Sequence, residues 1–384
     1  MHTPFNDNLT HDFLDSKRNV ADPTADAVIM KLSEELSKKG MQEVFEQLIT
    51  HVEMPFEKLP YLIQRFIRTH SQLPPWAEKH KIHLAQNMFM EHGPKMLLML
   101  YFKSLPILYS MKNGAQVLIQ TDRLSPHADD SNVFARRIAE TGQFLLFNMA
   151  SDGLEGNKTG IFTALKVRLI HAYIRYFISF GDWNTKMLGK PINQEDLAAT
   201  LMTFSVSLTD GLLQFRMSLS PSEEEAYMHH WRVIGYFMGV DDDLLPYHAA
   251  EGRFLLQKIL ERQSKASREG EELTQALIDF VDDKVKSRLL SMVPQVMIYY
   301  LCGSAIAGRV GIDKAKYKWF FSVFPFLLKL WFNFGEFMER RFGLLNFVAD
   351  RLSNRLVHKL VNHFDSYTGK KFVIPETLNR QWKV

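Results

Sequence analysis

Cysteine is almost missing from this 384-residue chain, and Cys302 is its one thiol. That excludes an internal disulfide framework, a zinc site built on cysteines, an iron–sulfur cluster and a CxxCH haem attachment. Glycine (20) and proline (15) are scarce too. Together they make about 9% of the chain against roughly 12% in average proteins, so few turns are expected. An excess of charge of one sign is also lacking. Lys plus Arg is 46 and Asp plus Glu is 43, a net +3, so no nucleic-acid partner is expected. What the chain does have is apolar bulk: 46% hydrophobic residues, with 29 Phe and 18 Met. Those are the makings of a large, soft, aromatic interior.

The start, Met1 to Asp7, has neither a basic stretch nor an apolar one, so no secretory or twin-Arg signal is read there. With the cysteine count, a reducing, cytoplasmic compartment is expected. Two segments raise the question of a membrane. Leu289 to Gly308 is a charge-free run long enough to span a bilayer, but it contains Pro294, Gln295, Gly303 and Ser304. A buried helix of a helical domain is the expectation. Tyr317 to Phe337 mixes Trp319, Trp331 and several Phe with Lys318 and Lys329. It suits a peripheral helix in a membrane interface, or equally one packed on the protein.

Helix signals dominate and period-two alternation is absent, so the fold class is all-α, a large multi-helix bundle. A helix is expected from Pro23 to Lys39, closed by Gly40. Others are expected over Asn132 to Ala150 and Ile161 to Phe180. Asn193 should cap a helix reaching Met217. A capping box with Ser222 at the cap should open a helix ending at Gly239. Pro74-Pro75 and Gly311-Ile312 are the likeliest breaks in organisation. They divide the chain into a helical extension (1–73), a main domain (74–312) and an aromatic-rich tail (313–384).

Common catalytic signatures are missing. There is no GxGxxG, no GxSxG, no HExxH and no Glu with a His three residues on. Gly153 to Thr159 has only a superficial P-loop look. Cys302 reads as a core residue, and the pairs His80/His83 and His229/His230 as solvated or capping groups.

One histidine stands out. His171 lies in Leu165 to Tyr176, with Arg168 three residues before and Arg175 four after, on one helical face. A haem needs an axial imidazole on an apolar face and cations for its propionates, and this face has both. On the preceding helix Arg137 and Thr141 stand at i and i+4 beside Phe134 and Ile138. Taken alone, these residues read equally as a core histidine and an interhelical salt bridge.

The Arg137-xxx-Thr141 pair, with His171 30 residues after Thr141, resembles the family of latex clearing proteins (rubber oxygenases) and MpaB-type oxygenases. The likeness runs from Pro74 to Ile312. It includes Pro75-Trp76, Gly93, Leu105-Pro106, Trp231, Gly235, Gly239-Val240 and Leu244-Leu245-Pro246. It closes on Val293-Pro294 and Ala307-Gly308-Arg309. The resemblance implies an all-helical protein with a non-covalent b-type haem whose iron is held by His171. Arg137 and Thr141 would belong to the haem pocket, and Arg168 or Arg175 would join Arg137 at the propionates. It implies O2 and an apolar, isoprenoid C=C substrate as reactants. Rubber-cleaving members carry Lys just before the motif Thr, and here that position is Glu140, able to serve as an acid or base. A further distal carboxylate has no clear match among Asp122, Asp129 and Asp130. The alternative from another class is a non-catalytic helical protein that binds haem or a lipid.

Overall fold

The computed structural model describes residues 3–50, 58–124, 133–156, 158–217, 219–285 and 292–313. Among them the structure is all-α, with no strand. The first part contains α1 (Pro4–Asn8), α2 (His11–Arg18), α3 (Pro23–Glu35), α4 (Lys38–Thr50) and α5 (Tyr61–His70). Then come α6 (Lys79–Met99), a π-helical segment (Leu100–Ser104), α7 (Leu105–Tyr109), α8 (Lys112–Leu124), α9 (Val133–Met149) and α10 (Thr159–Ile178). The second half holds α11 (Thr185–Leu188), α12 (Gln194–Phe204), α13 (Val206–Gln214), α14 (Pro221–Met238), α15 (Ala249–Gln263), α16 (Arg268–Val285) and α17 (Val293–Arg309).

The centre is α14, which packs along α6 and against α10. Tyr227, Trp231 and Phe237 of α14 are almost fully buried, as is Phe89 of α6. Each ring of this size removes a large apolar area from water, which is the main drive for the packing. Phe144 of α9 and Phe204 of α12 meet Trp231 with ring centroids 6.3 and 5.3 Å away. Phe144, Phe204 and Trp231 thus form one connected aromatic cluster.

Local chemistry explains where the helices differ from expectation. The helix opened by Pro23 stops at Glu35, because Ser37 starts a new one: its hydroxyl accepts the Gly40 N–H at 3.2 Å and its carbonyl the Met41 N–H at 2.9 Å. Gly40 is therefore inside α4 rather than a cap. The run after Asn193 breaks at Ser205 (φ −99°, ψ −95°), where the Phe204 carbonyl accepts from the Tyr227 hydroxyl at 3.1 Å instead of continuing the ladder. The capping box of α14 is built on Ser220 and Glu223, not Ser222, because Pro221 takes the first helical position. Gly239 ends that helix in the left-handed region, as expected.

Proline shapes the middle of the chain. α6 runs through Pro94, and the helix then widens into the π segment just before Pro106, with the Leu105 N–H bonded to the Leu100 carbonyl. Pro106 has no N–H to offer the Phe102 carbonyl four residues back. The Cys302 thiol lies 3.5 Å from that carbonyl and 3.6 Å from the Lys103 carbonyl. The lone thiol thus serves backbone groups that the proline-bearing turn leaves open.

No helix among the described residues is long and apolar enough to cross a membrane. The charge-free run near residue 300 becomes α17, interrupted at Gly303 (φ 79°) and packed against the π segment and α7. The Tyr317–Phe337 segment lies outside the described residues, as does the rest of the expected tail.

The expected N-terminal extension packs on the main body through α2 and α3. Arg18 of α2 bonds Glu195 (2.9 Å) and Asp196 (3.2 Å) of α12, and Lys17 bonds Asp241 (2.7 Å) and Asp243 (2.8 Å). α3 buries Ala25, Ile29 and Leu32 and lies along α10.

Candidate functional site

α9 and α10, which carry the motif residues, are joined by a tight turn and pack together. The turn is pinned by the Gly160 and Ile161 N–H groups, which donate to the Gly153 carbonyl at 2.8 and 3.2 Å. A Cβ at Gly160 would lie 2.8 Å from the Phe147 carbonyl oxygen, so only glycine permits this closeness. The stretch with a P-loop look is therefore the connection between two helices. Counting out from Leu154 in the turn, Arg137 and His171 are equally far along the two arms. Arg137 and Thr141 on α9 and His171 on α10 therefore stand on two successive helices that pack together.

His171 is the chemical centre of this arrangement. Its Nδ1 is fully buried and has no hydrogen-bond partner. Desolvation pushes its pKa from 6.5 down to about 3; the Arg175 charge adds to the shift and the Asp22 charge opposes it. The imidazole is therefore neutral at ordinary pH, the form that binds a metal. Among the described residues no group of three or more His, Cys, Asp or Glu is arranged around a metal ion.

On α9, Arg137 donates to the Leu118 carbonyl of α8 at 3.2 Å, and the Thr141 hydroxyl donates to the Arg137 carbonyl at 2.8 Å. Arg137, Glu140 and Thr141 are all half-buried. Gly142, the next residue, meets Tyr101 of the π segment: a Cβ there would lie 2.5 Å from its hydroxyl oxygen. Tyr101 is itself only 5% exposed, and burial holds its phenol well above the usual range.

The two arginines flanking His171 are placed differently from expectation. Arg168 makes a two-point pair with Asp22, Nε to Oδ2 at 2.5 Å and Nη2 to Oδ1 at 3.0 Å. Arg175 pairs with Asp26 at 2.7–2.8 Å and donates to the Ile192 carbonyl at 3.3 Å. Both guanidinium groups are thus held by carboxylates of α3, the positions where propionates were expected. Sequence reasoning missed Asp22 and Asp26. Asp22 could have been read as the N-cap of α3, a role it fills by accepting the Ala25 N–H at 3.2 Å, but its ion-pair partner is 146 residues away.

The paired histidines of the sequence bond protein groups, although the Nδ1 of His230, like that of His92, is also buried without a hydrogen-bond partner. His83 is exposed beside Glu155, 3.0 Å away, and His80 is exposed near Glu78. His229 and His230 are buried rather than solvated. His229 Nε2 accepts the Glu78 N–H at 2.9 Å, capping the start of α6, and His230 Nε2 donates to the Asn148 carbonyl at 3.0 Å. Asp122 lies on α8, while Asp129 and Asp130 fall outside the described residues. Lys103, on the π segment, is buried and donates to Gln214 Oε1 at 3.0 Å and to the Leu301 carbonyl at 2.8 Å.

Comparison with known proteins gives three matches. Residues 105–324 match the family model described as "ER-bound oxygenase mpaB/B'/Rubber oxygenase, catalytic domain". A rubber oxygenase of Streptomyces sp. (strain K30) is 22% identical over 261 residues, 67% of this chain and 62% of that protein's length. The alignment therefore spans under two thirds of that relative. A solved structure of latex clearing protein in the closed state superposes with a TM-score of 0.65 at 20% identity, covering 82% of this chain and 84% of that one.

Proposed function

The chain belongs to the mpaB/rubber oxygenase catalytic-domain family, and on that premise we propose that it is a b-type haem-dependent oxygenase. Its reactants are O2 and an apolar, isoprenoid substrate with a C=C bond. The observation that supports this most directly is His171: a neutral imidazole with a buried, unpartnered Nδ1, on the helix packed against the one that carries Arg137 and Thr141. The residues fit the group. His171 is the proposed iron ligand, Arg137 the proposed propionate partner, and Thr141 a member of the pocket. When bound, haem supplies the iron and the redox chemistry by which O2 splits an alkene.

The chain's own residues do the rest. Desolvation keeps His171 deprotonated and able to ligate at neutral pH. Phe144, in ring contact with Phe204 and Trp231, extends the apolar core toward the Arg137/Thr141 face and keeps water from it. Glu140 stands where rubber-cleaving relatives are expected to carry lysine. As a carboxylate it can accept or return a proton, a role an ammonium group does not fill in the same way. Arg168 and Arg175 would have to exchange Asp22 and Asp26 to reach a propionate.

Absorption spectroscopy tests the assignment. The purified protein supplied with haem should show a Soret band, and His171→Ala should abolish or strongly alter it. No Soret band in the wild type sinks the haem reading, and a band unchanged in His171→Ala sinks the ligand. O2 consumption with a panel of short isoprenoids then tests catalysis. No uptake with any of them counts against an oxygenase and for a binding protein.

A further inference from the structure

The two ion pairs that flank His171 have a second consequence. Arg168 and Arg175 lie three residues before and four after it, on one face of α10. Asp22 is the N-cap of α3 and Asp26 lies in its first turn, four residues on. Both pairs are withdrawn from solvent: side-chain exposure is 12% and 4% for Arg168 and Asp22, and 7% and 30% for Arg175 and Asp26. The first pair is also enclosed at Gly239, where a Cβ would lie 2.5 Å from Arg168 Nε and 2.7 Å from Asp22 Oδ2.

These pairs are not what α3 needs to stay in place. Ala25, Ile29 and Leu32 are at most 1% exposed and already supply an apolar seam. A buried ion pair adds little net stability over apolar packing, and its better-attested effect is to fix register. The pairs lock the turns on both sides of His171, so that the imidazole can neither rotate about the α10 axis nor slide along it. They also set the field there, since the Asp22 and Arg175 charges act on His171 with opposite signs.

We propose that Asp22 and Asp26 are positioning residues for the His171 ligand. Acting through Arg168 and Arg175, they hold its orientation and balance the charge beside it. The proposal rests on the haem reading for its functional meaning, but the clamp itself can be tested without haem.

The substitutions are Asp22→Asn and Asp26→Asn. Asn serves nearly as well as Asp at an N-cap, so Asp22→Asn removes the charge and keeps the cap of α3. In the haem-loaded protein each should move the midpoint reduction potential to more positive values, because one uncompensated positive charge beside the ligand favours the ferrous state. Asp22→Glu and Asp26→Glu should return it toward the wild-type value. In the protein without haem, amide hydrogen exchange over residues 168–175 should rise at least tenfold in both Asn variants and stay unchanged in α14. Should Asp22→Asn fail to fold, Asp26→Asn, at the more exposed pair, supports the same measurements.

An unchanged potential in a variant that retains its Soret band overturns the proposal. So does tighter haem uptake than wild type, which would mean that the α3 carboxylates compete with the propionates. A wild type without a Soret band defeats the haem reading instead. The exchange measurement then still decides the clamp, and unchanged protection over 168–175 overturns it.

Discussion

Gly142 of α9 and Tyr101 of the π segment stand so close that a Cβ at residue 142 would lie 2.5 Å from the Tyr101 hydroxyl oxygen. Gly142 follows Thr141 directly, so this contact seats the motif helix on the one part of the α6–α7 run that is not α-helical. A π turn shifts the register of the side chains after it, and such turns often occur where a site needs that shift.

Gly142→Ala should therefore destabilise the fold by about 1–3 kcal/mol, the range for overpacking a tight interior. Tyr101→Phe removes the clashing oxygen, so the double variant should recover a large part of the loss. Urea denaturation of the four proteins gives the coupling between the two sites. Strictly additive effects would show that the two residues do not press on each other.

Acid should loosen this protein through its buried histidines. Desolvation is the largest influence on all three: it takes His171 to about 3, and His229 and His230 to about 4, from 6.5. A folded-state value below the unfolded one means that the neutral ring is favoured by folding. That contribution is complete above about 6.5 and is lost as pH falls toward 4. Asp196 opposes the trend, because burial raises its carboxyl to about 6, so its contribution is lost as pH rises through that value. Asp26, whose carboxyl burial also raises, opposes it too, but the three histidines outweigh the two carboxylates, so stability should be lower at pH 4.5 than at pH 7. His230→Gln, which can keep a donor toward the Asn148 carbonyl, should flatten that slope. Denaturation midpoints across this pH range decide it, and an equal slope in the variant rejects the assignment to His230.

Glu195 is a hub between distant segments. It is fully buried and takes Arg18 of α2 and Arg262 of α15 at 2.9 Å each, with Gln263 also at 2.9 Å. Removing the carboxylate leaves two guanidinium groups short of a partner in a dry site. Glu195→Ala should cost about 3–5 kcal/mol, as for other broken buried pairs. A loss below 1 kcal/mol in chemical denaturation would mean that Asp196 and Asp15 take over both arginines.

Cys302 should be inert while the protein is folded. The residue is half-buried, desolvation pushes its thiol up to about 12, and its sulfur is engaged with the Phe102 and Lys103 carbonyls. A disulfide reagent at pH 8 should label it only after denaturation, because the thiolate is the reactive form. Stoichiometric labelling of the native protein would contradict this placement.

The helical class was legible in the sequence because it rests on local signals: 3.6-residue periodicity, few Gly and Pro, and caps such as Asn193 and Gly239. Where two local signals competed, the reading slipped. Pro221 moved the cap of α14 from Ser222 to Ser220, and Ser37 turned Gly40 from a terminator into an interior residue. The placement of Arg137 and Thr141 on one helix and of His171 on the next was legible because spacing of four residues and a short turn follow from helix geometry.

The sequence by itself determined an all-α chain without cysteine chemistry, and a lone histidine on an apolar helix flanked by two arginines. Only the tertiary structure decided what those arginines do. Helical spacing fixes which face a side chain is on, but an ion pair depends on which other segment is packed there. Asp22 and Asp26 lie almost 150 positions earlier in the chain and reach Arg168 and Arg175 only once α3 buries its apolar side on α10. In the same way, the sulfur of the one cysteine found its partners only through Pro106, nearly 200 positions away, because a carbonyl left without its N–H must be satisfied by whatever group folding brings to it.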